Sequence, residues 1–242
     1  MIFVGGYSLI LMALAVIPAL FLLFYIYKQD GLEKEPPRLI LRLVVLGAIS
    51  TFFAGFTESI GIKILGSVFS YNSLSYRVLL YFVVVGLSEE GFKYLVLRFS
   101  TWNSREFNCK FDGVVYAVAV SLGFALWENI QYVTSYGLST ALIRAVTAVP
   151  GHACFGVLMG AWYGLAKRKQ IQQWGNASFL ARLLAVIIPT IIHGAYDFVA
   201  TSNMNTIHFV MFVVVMFVVC FYTVKKLSAD DKYHNDEGNY GI

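Results

Sequence analysis

The stretch VVVGLSEEGFKYLVL, residues 83–97, sets two adjacent glutamates and a lysine inside a run of valines, leucines and aromatics. Its flanks have the composition of a membrane span, and a charge at the bilayer centre costs about 2.5–3.5 kcal/mol on insertion scales. Glu89, Glu90 and Lys93 therefore need partners or a function. On a helix, Glu89 and Lys93 lie four residues apart on one face, acid before base, while Glu90 points about 100° away. Lys93 can then neutralise one carboxylate, and the other needs something else. One reading is a buried ion pair that locks two helices. The other is a carboxyl group tuned by desolvation and like charge for acid–base work.

The rest of the chain has the same character. Of its 242 residues 58% are hydrophobic and 13% charged, with a mean hydropathy of +0.69, which excludes an ordinary soluble domain. Apolar runs of about 20 residues, enough to cross a hydrocarbon core of about 30 Å, recur along it. They predict an all-α polytopic membrane protein with seven spans, at 5–27, 39–60, 74–97, 112–134, 141–166, 179–200 and 206–224. The first run lacks a basic leader and a small-residue cleavage site, so it reads as a span and not a signal peptide. The loop KQDGLEKEPPRL, residues 28–39, holds Gly31 and Pro36-Pro37 and is the clearest turn.

Charge orients the bundle. The loops after spans one, three and five and the tail carry Lys28, Lys34, Arg38, Arg42, Arg98, Arg105, Lys110, Lys167, Arg168, Lys169, Arg182, Lys225, Lys226 and Lys232. The other side has Lys63, Arg77 and Arg144, so the N terminus is expected outside and the C terminus in the cytoplasm. This topology accounts for the net charge of +4 without a nucleic-acid partner. The tail, 228–242, is polar and expected to stay unpacked. Cys109, Cys154 and Cys220 make no CxxC and imply neither a disulfide framework nor a structural zinc site. Gly156, Gly160 and Gly164, spaced by four, predict a close helix-packing face.

Three further spans carry polar exceptions. Phe124 and Glu128 share a stripe on span four, beside Asn129; His152 follows Pro150-Gly151 on span five; His193 and Asp197 are one turn apart on span six. A carboxylate one turn from an imidazole can fix its tautomer, and both can hold a metal or a substrate oxygen. At 1.5 Å rise per residue, Glu89, Glu128, His152 and His193 reach overlapping depths in the middle to outer bilayer. A shared, water-filled site explains four such coincidences better than four separate packing accidents. Asp112 is placed to cap the start of span four, and His208 and His234 lie outside the site.

Taken together, EExxK at Glu89, Glu90 and Lys93, FxxxE at Phe124 and Glu128, the single His152, and HxxxD at His193 and Asp197 resemble the PrsW family of membrane-embedded proteases, related to the CAAX-processing type II proteases. The likeness runs from about residue 85 to 200 and includes FDGVVYA, residues 111–117. It implies one membrane-embedded protease domain with its catalytic core over 74–200, in the bacterial cytoplasmic membrane. The implied activity is the first, extracytoplasmic-side cut in a single-pass substrate such as an anti-sigma factor. Lys93, where CAAX proteases place an arginine one residue later, and Glu128, where they have histidine, favour PrsW.

The expected chemistry has Glu89, with Glu90, activating water; His193, oriented by Asp197, stabilising the oxyanion; and His152 binding water or protonating the leaving amine. Lys93 would hold the acidic pair in register. A zinc version would take Glu128, His152 and His193 as ligands and Glu89 as base. The metal-free version is preferred, because no HExxH is present and the ligands come from different helices. Ser88 and Cys154 are the nucleophiles to watch. Two other classes stand beside the protease: a scaffold or receptor using the polar cluster for packing, and a proton-coupled transporter, which should show the inverted repeats absent here.

Overall fold

A computed structural model describes residues 6–202 and 206–234, with side chains from residue 9 onward. It is helical throughout: α1 (Gly6–Gln29), α2 (Pro37–Val68), α3 (Leu74–Leu79), a π-helical segment (Leu80–Leu87), α4 (Ser88–Thr101), α5 (Asp112–Tyr136), α6 (Leu138–Val146), α7 (Ala148–Ile171), α8 (Gly175–Thr201) and α9 (Thr206–Ala229). Six segments are long and apolar enough to cross a membrane, α6 and α7 together making one of them. The run from α3 through the π segment to α4 supplies the seventh.

Burial orders the bundle around α5. In its most apolar window 78% of residues are buried, against 22% in α1 and in α9. A helix apolar all round belongs at the centre of a bundle, and α5 packs against α7, α2, α1 and α4. Outside, Phe21, Phe56 and Phe99 are exposed, the surface that lipid rather than water satisfies.

Small residues set the closest approaches. The spacing of Gly156, Gly160 and Gly164 does make a packing face, and its partner is α5: a Cβ on Gly113 would stand 2.7 Å from Gly164 N and 2.8 Å from Gly160 O. On the other side of the molecule, a Cβ on Gly194 of α8 would stand 2.7 Å from the Phe82 ring of the π segment. That contact draws α8, and His193 with it, against the helix that carries the glutamates.

Several expectations need correction. Span two is longer than 39–60, because Pro36 and Pro37 start the helix and only Phe69 ends it. Span three is not one α-helix, since residues 80–87 form π bonding just before Glu89. Span five breaks at Thr147, whose φ of −123° and ψ of −69° separate α6 from α7. Asp112 does not cap its own helix; its Oδ2 turns back to accept the Asn108 and Cys109 N–H groups at 2.9 and 2.6 Å. The tail packs further than expected: Asp231 accepts the Phe111 N–H at 3.0 Å, the His234 N–H donates to Asn108 O at 2.8 Å, and the His234 side chain is buried. Residues 235–242 lie outside the described residues. All three cysteines are free and buried.

Candidate active site

Glu89 and Glu90 open α4, directly after the π segment, and both are buried. Lys93 does not choose between them. Its Nζ lies 3.2 Å from Glu89 Oε2 and 2.7 Å from Glu90 Oε1, so it bonds both, and the shorter bond goes to the residue three positions away. Spacings of three and four residues both bring side chains together on a helix, and packing decides which bond is shorter. The third ammonium hydrogen points to His152 Nδ1 on α7, at 3.1 Å. The Phe124 ring lies beneath the ammonium, 4.1 Å from ring centre to Nζ, which gives the FxxxE phenylalanine a physical role.

Because an ammonium only donates, His152 Nδ1 accepts and the ring proton sits on Nε2. From there it donates to Glu128 Oε2 at 2.8 Å. Glu128 also takes Arg144 Nη2 at 3.0 Å, while Arg144 Nε donates to Asn129 Oδ1 at 2.9 Å. Asn129 Nδ2 in turn donates to Ala15 O of α1 at 3.1 Å, so Asn129 ties the arginine to the bundle.

His193 is held differently from the expectation. Its Nδ1 lies 2.9 Å from Glu90 Oε1, whereas Asp197 Oδ2 is 3.6 Å from Nε2, beyond a hydrogen bond. Glu90, not Asp197, orients the ring. Phe155 stacks on its face with centroids 4.6 Å apart, and the His152 ring stands edge-on at 5.4 Å.

These groups border one cavity of about 440 Å³, lined by Glu89, Glu128, His152, His193 and Asp197 among others. Glu90 and Lys93 are fully buried behind that lining. The cavity also takes Glu58 from α2, Tyr132 from α5 and Arg144 from α6. Sequence reasoning misses Glu58 although it stands charged within a predicted span, a signal of the same kind as Glu89, and it takes Arg144 only as a topological charge. Cys154 lines a separate apolar pocket beside α9, and Ser88 does not line the cavity.

Among the described residues, Glu89, Glu90 and His193 offer one ligand atom each, all within 4.8 Å of one another. Glu128, His152 and His193 form no such group: Glu128 is engaged by His152 and Arg144, while His193 turns to Glu90.

Comparison with known proteins gives the family of the chain. A family profile described as "PrsW family intramembrane metalloprotease" matches residues 35–223. Protease PrsW of Oceanobacillus iheyensis is 34% identical over 219 residues, covering 90% of this chain and 96% of that protein. Protease PrsW of Bacillus subtilis is 33% identical over 196 residues, 80% of this chain and 84% of its own. Protease PrsW of Clostridioides difficile is 32% identical over 230 residues, 93% and 92% respectively. No solved structure matches significantly. The chain is a multi-pass membrane peptidase and belongs to the PrsW family of intramembrane proteases.

Proposed function

We propose that this protease hydrolyses a peptide bond of a single-pass membrane protein of the anti-sigma-factor kind, on the extracytoplasmic side, with Glu89 activating the attacking water. The observation that carries this reading is the unequal placement of the two glutamates. Glu89 faces the cavity, whereas Glu90 lies behind it and holds Lys93 and His193.

In this mechanism Glu89 takes a proton from water as the oxygen attacks the scissile carbonyl carbon. His193 gives its Nδ1–H to the Glu90 carboxylate, so it acts as an imidazolium whose Nε2–H, on the cavity side of the ring, donates to the oxyanion. As the C–N bond breaks, the proton held by Glu89 passes to the departing nitrogen, leaving a carboxylic acid, an amine and a regenerated Glu89 carboxylate; the acid's proton then goes to the amine, giving the carboxylate and ammonium products. Both His152 nitrogens are engaged, by Lys93 and Glu128, so we assign His152 the positioning of the wall, not proton transfer. The catalytic core then spans 74–200, with Glu58 added from α2.

The family description names a metalloprotease, and the residues fit a divalent cation of the zinc class at Glu89, Glu90 and His193. Their donor atoms converge, and Glu90 Oε2 is buried with no hydrogen-bond partner. When bound, such a cation supplies Lewis-acid polarisation and lowers the pKa of water. Lys93 already neutralises part of this charge, which supports the metal-free sequence of steps above.

The distribution of charge supports this side for the cut. The cavity lies at the bundle end of the α2–α3 and α5–α6 connections, near Lys63, Arg77 and Arg144, while most basic residues cluster at the other end. Under the positive-inside rule the cavity end is extracytoplasmic.

The test uses wild type, Glu89→Gln and Glu90→Gln in detergent, each confirmed as folded, with a panel of single-pass anti-sigma-factor-like substrates. Cleavage by wild type and none by Glu89→Gln is expected, with products mapped by mass to the extracytoplasmic side. Undiminished cleavage by Glu89→Gln would remove it as the base.

A further inference from the structure

A second group of acids lies at the opposite end of the bundle, away from the cavity. Asp30 and Glu35 come from the loop between α1 and α2, Asp112 opens α5, and Asp231 follows α9; all four are buried. Asp30, Glu35 and Asp112 each present an oxygen within 4.8 Å of the others.

What they lack is a direct ion pair, although the Lys34 ammonium lies close enough to act on the charge of Asp30. None of the ion pairs among the described residues includes any of the three. Lys34, the nearest base in sequence, gives its ammonium to the carbonyls of Tyr27, Lys28 and Asp30 at the end of α1. Partial satisfaction comes from elsewhere: the Tyr116 hydroxyl donates to Glu35 Oε2, and two backbone N–H groups donate to Asp112 Oδ2. Asp30 is the exception. It is 1% exposed, and neither carboxylate oxygen has a hydrogen-bond partner. The Glu35 N–H is directed at the Asp30 carboxylate but falls short of hydrogen-bond geometry. Asp231 Oδ2, close by, is also unpartnered.

A buried carboxylate without a donor is costly, and three converging on one point repel one another as well. Only a proton or a cation between them relieves both costs. We propose that Asp30, Glu35 and Asp112 bind a hard divalent cation, of the Mg²⁺ or Ca²⁺ class, which staples the α1–α2 loop to the start of α5. An all-oxygen carboxylate set is the coordination chemistry of those ions, not of thiolate-seeking metals. The site is separate from the cavity, and its three ligands come from the two segments KQDGLEKEPPRL and FDGVVYA, neither of which the proteolytic site uses.

The experiment uses the full chain in detergent, stripped with chelator and then titrated with Mg²⁺ or Ca²⁺, reading binding by calorimetry and the unfolding temperature. Wild type should bind one cation here and unfold several degrees higher with it. Asp30→Asn should bind at least about tenfold more weakly, since even outer-shell losses weaken metal sites by that much. In cation-free buffer it should unfold no lower than wild type, because it loses only an unpartnered charge. Glu90→Gln should respond as wild type does. If Asp30→Asn fails to fold, Glu35→Gln is read the same way. No response of wild type to either cation would overturn the proposal in favour of a proton shared by Glu35 and Asp112. An undiminished response in Asp30→Asn, or loss of the response in Glu90→Gln, would overturn it equally by placing the ion elsewhere.

Discussion

Lys93 and Glu90 meet at 2.7 Å with neither side chain reaching solvent. Desolvating two such charges is tolerable only as a pair, so removing one strands the other. Lys93→Met should therefore lower stability by about 3–5 kcal/mol, the usual cost of an uncompensated buried charge. The double variant Lys93→Met/Glu90→Gln should recover part of that loss. Thermal unfolding of wild type, Lys93→Met, Glu90→Gln and the double variant in detergent measures it, and additive effects would show that the two residues do not interact.

Arg144 reaches both Glu128 and Asn129, from Nη2 and Nε, and its guanidinium lies 4.0 Å over the Tyr132 ring. A lysine has no planar fork with which to do this. Arg144→Lys is thus expected to behave nearly as badly as Arg144→Leu, with cleavage reduced about tenfold or more, equal to about 1.4 kcal/mol of transition-state stabilisation. Rates on one substrate for the three proteins decide the matter; full activity in Arg144→Lys would mean that charge alone suffices.

Two glycines offer a matched contrast. Valine at Gly113 would press on the backbone of Gly160 and Gly164, which cannot yield as a side chain does. A loss of about 1–3 kcal/mol, the range for overpacking, is expected. Gly91, in the middle of EEGFK, has open space where a Cβ would stand, with nothing within 4 Å, so Gly91→Ala should gain about 0.5–1 kcal/mol from helix propensity alone. Equal unfolding temperatures for the two variants would contradict this reading of the α5–α7 contact.

The docked tail should be acid-labile. His234 is buried against the Phe107 ring with Lys167 and Arg168 nearby, and burial, then those charges, lower its pKa to about 4 from an ordinary value of 6.5. Its folded pKa lies below the unfolded one, so its contribution is complete above about pH 6.5 and is lost as pH falls through about 4. Protection of the amides at residues 231–234, taken relative to their intrinsic exchange rates, should fall over that interval, and His234→Phe should lessen the fall.

How far these features are legible in the sequence differs by type. The seven apolar runs and the charges within them can be read directly, because lipid tolerates few alternatives to a helix and no unpaired charge. Which charges pair cannot be read. Glu89 and Glu90 both lie within reach of Lys93, and Phe124 beneath the ammonium comes from another helix. The same holds for His193: Asp197 is its neighbour in sequence, but Glu90 is its neighbour in space because Gly194 lets α8 close on Phe82. The π bonding of residues 80–87 has no composition signature. The tail reads as unpacked because its side chains are polar, yet Asp231 and His234 are buried through partners in the loop before α5 that composition cannot reveal.

The length of α2 carries a consequence for the membrane itself. Its 32 residues rise about 48 Å, against a hydrocarbon thickness of about 30 Å. To fit wholly within the hydrocarbon it would have to lean by more than the roughly 40° that spanning helices reach. At least one end of α2 therefore stands outside the oily layer, and the wall it gives the cavity, from Thr51 to Ile62, lies mostly in the half towards Val68. Hydrophobic mismatch then becomes a control variable: a thicker bilayer buries more of this wall in lipid, and a thinner one leaves more of it in water.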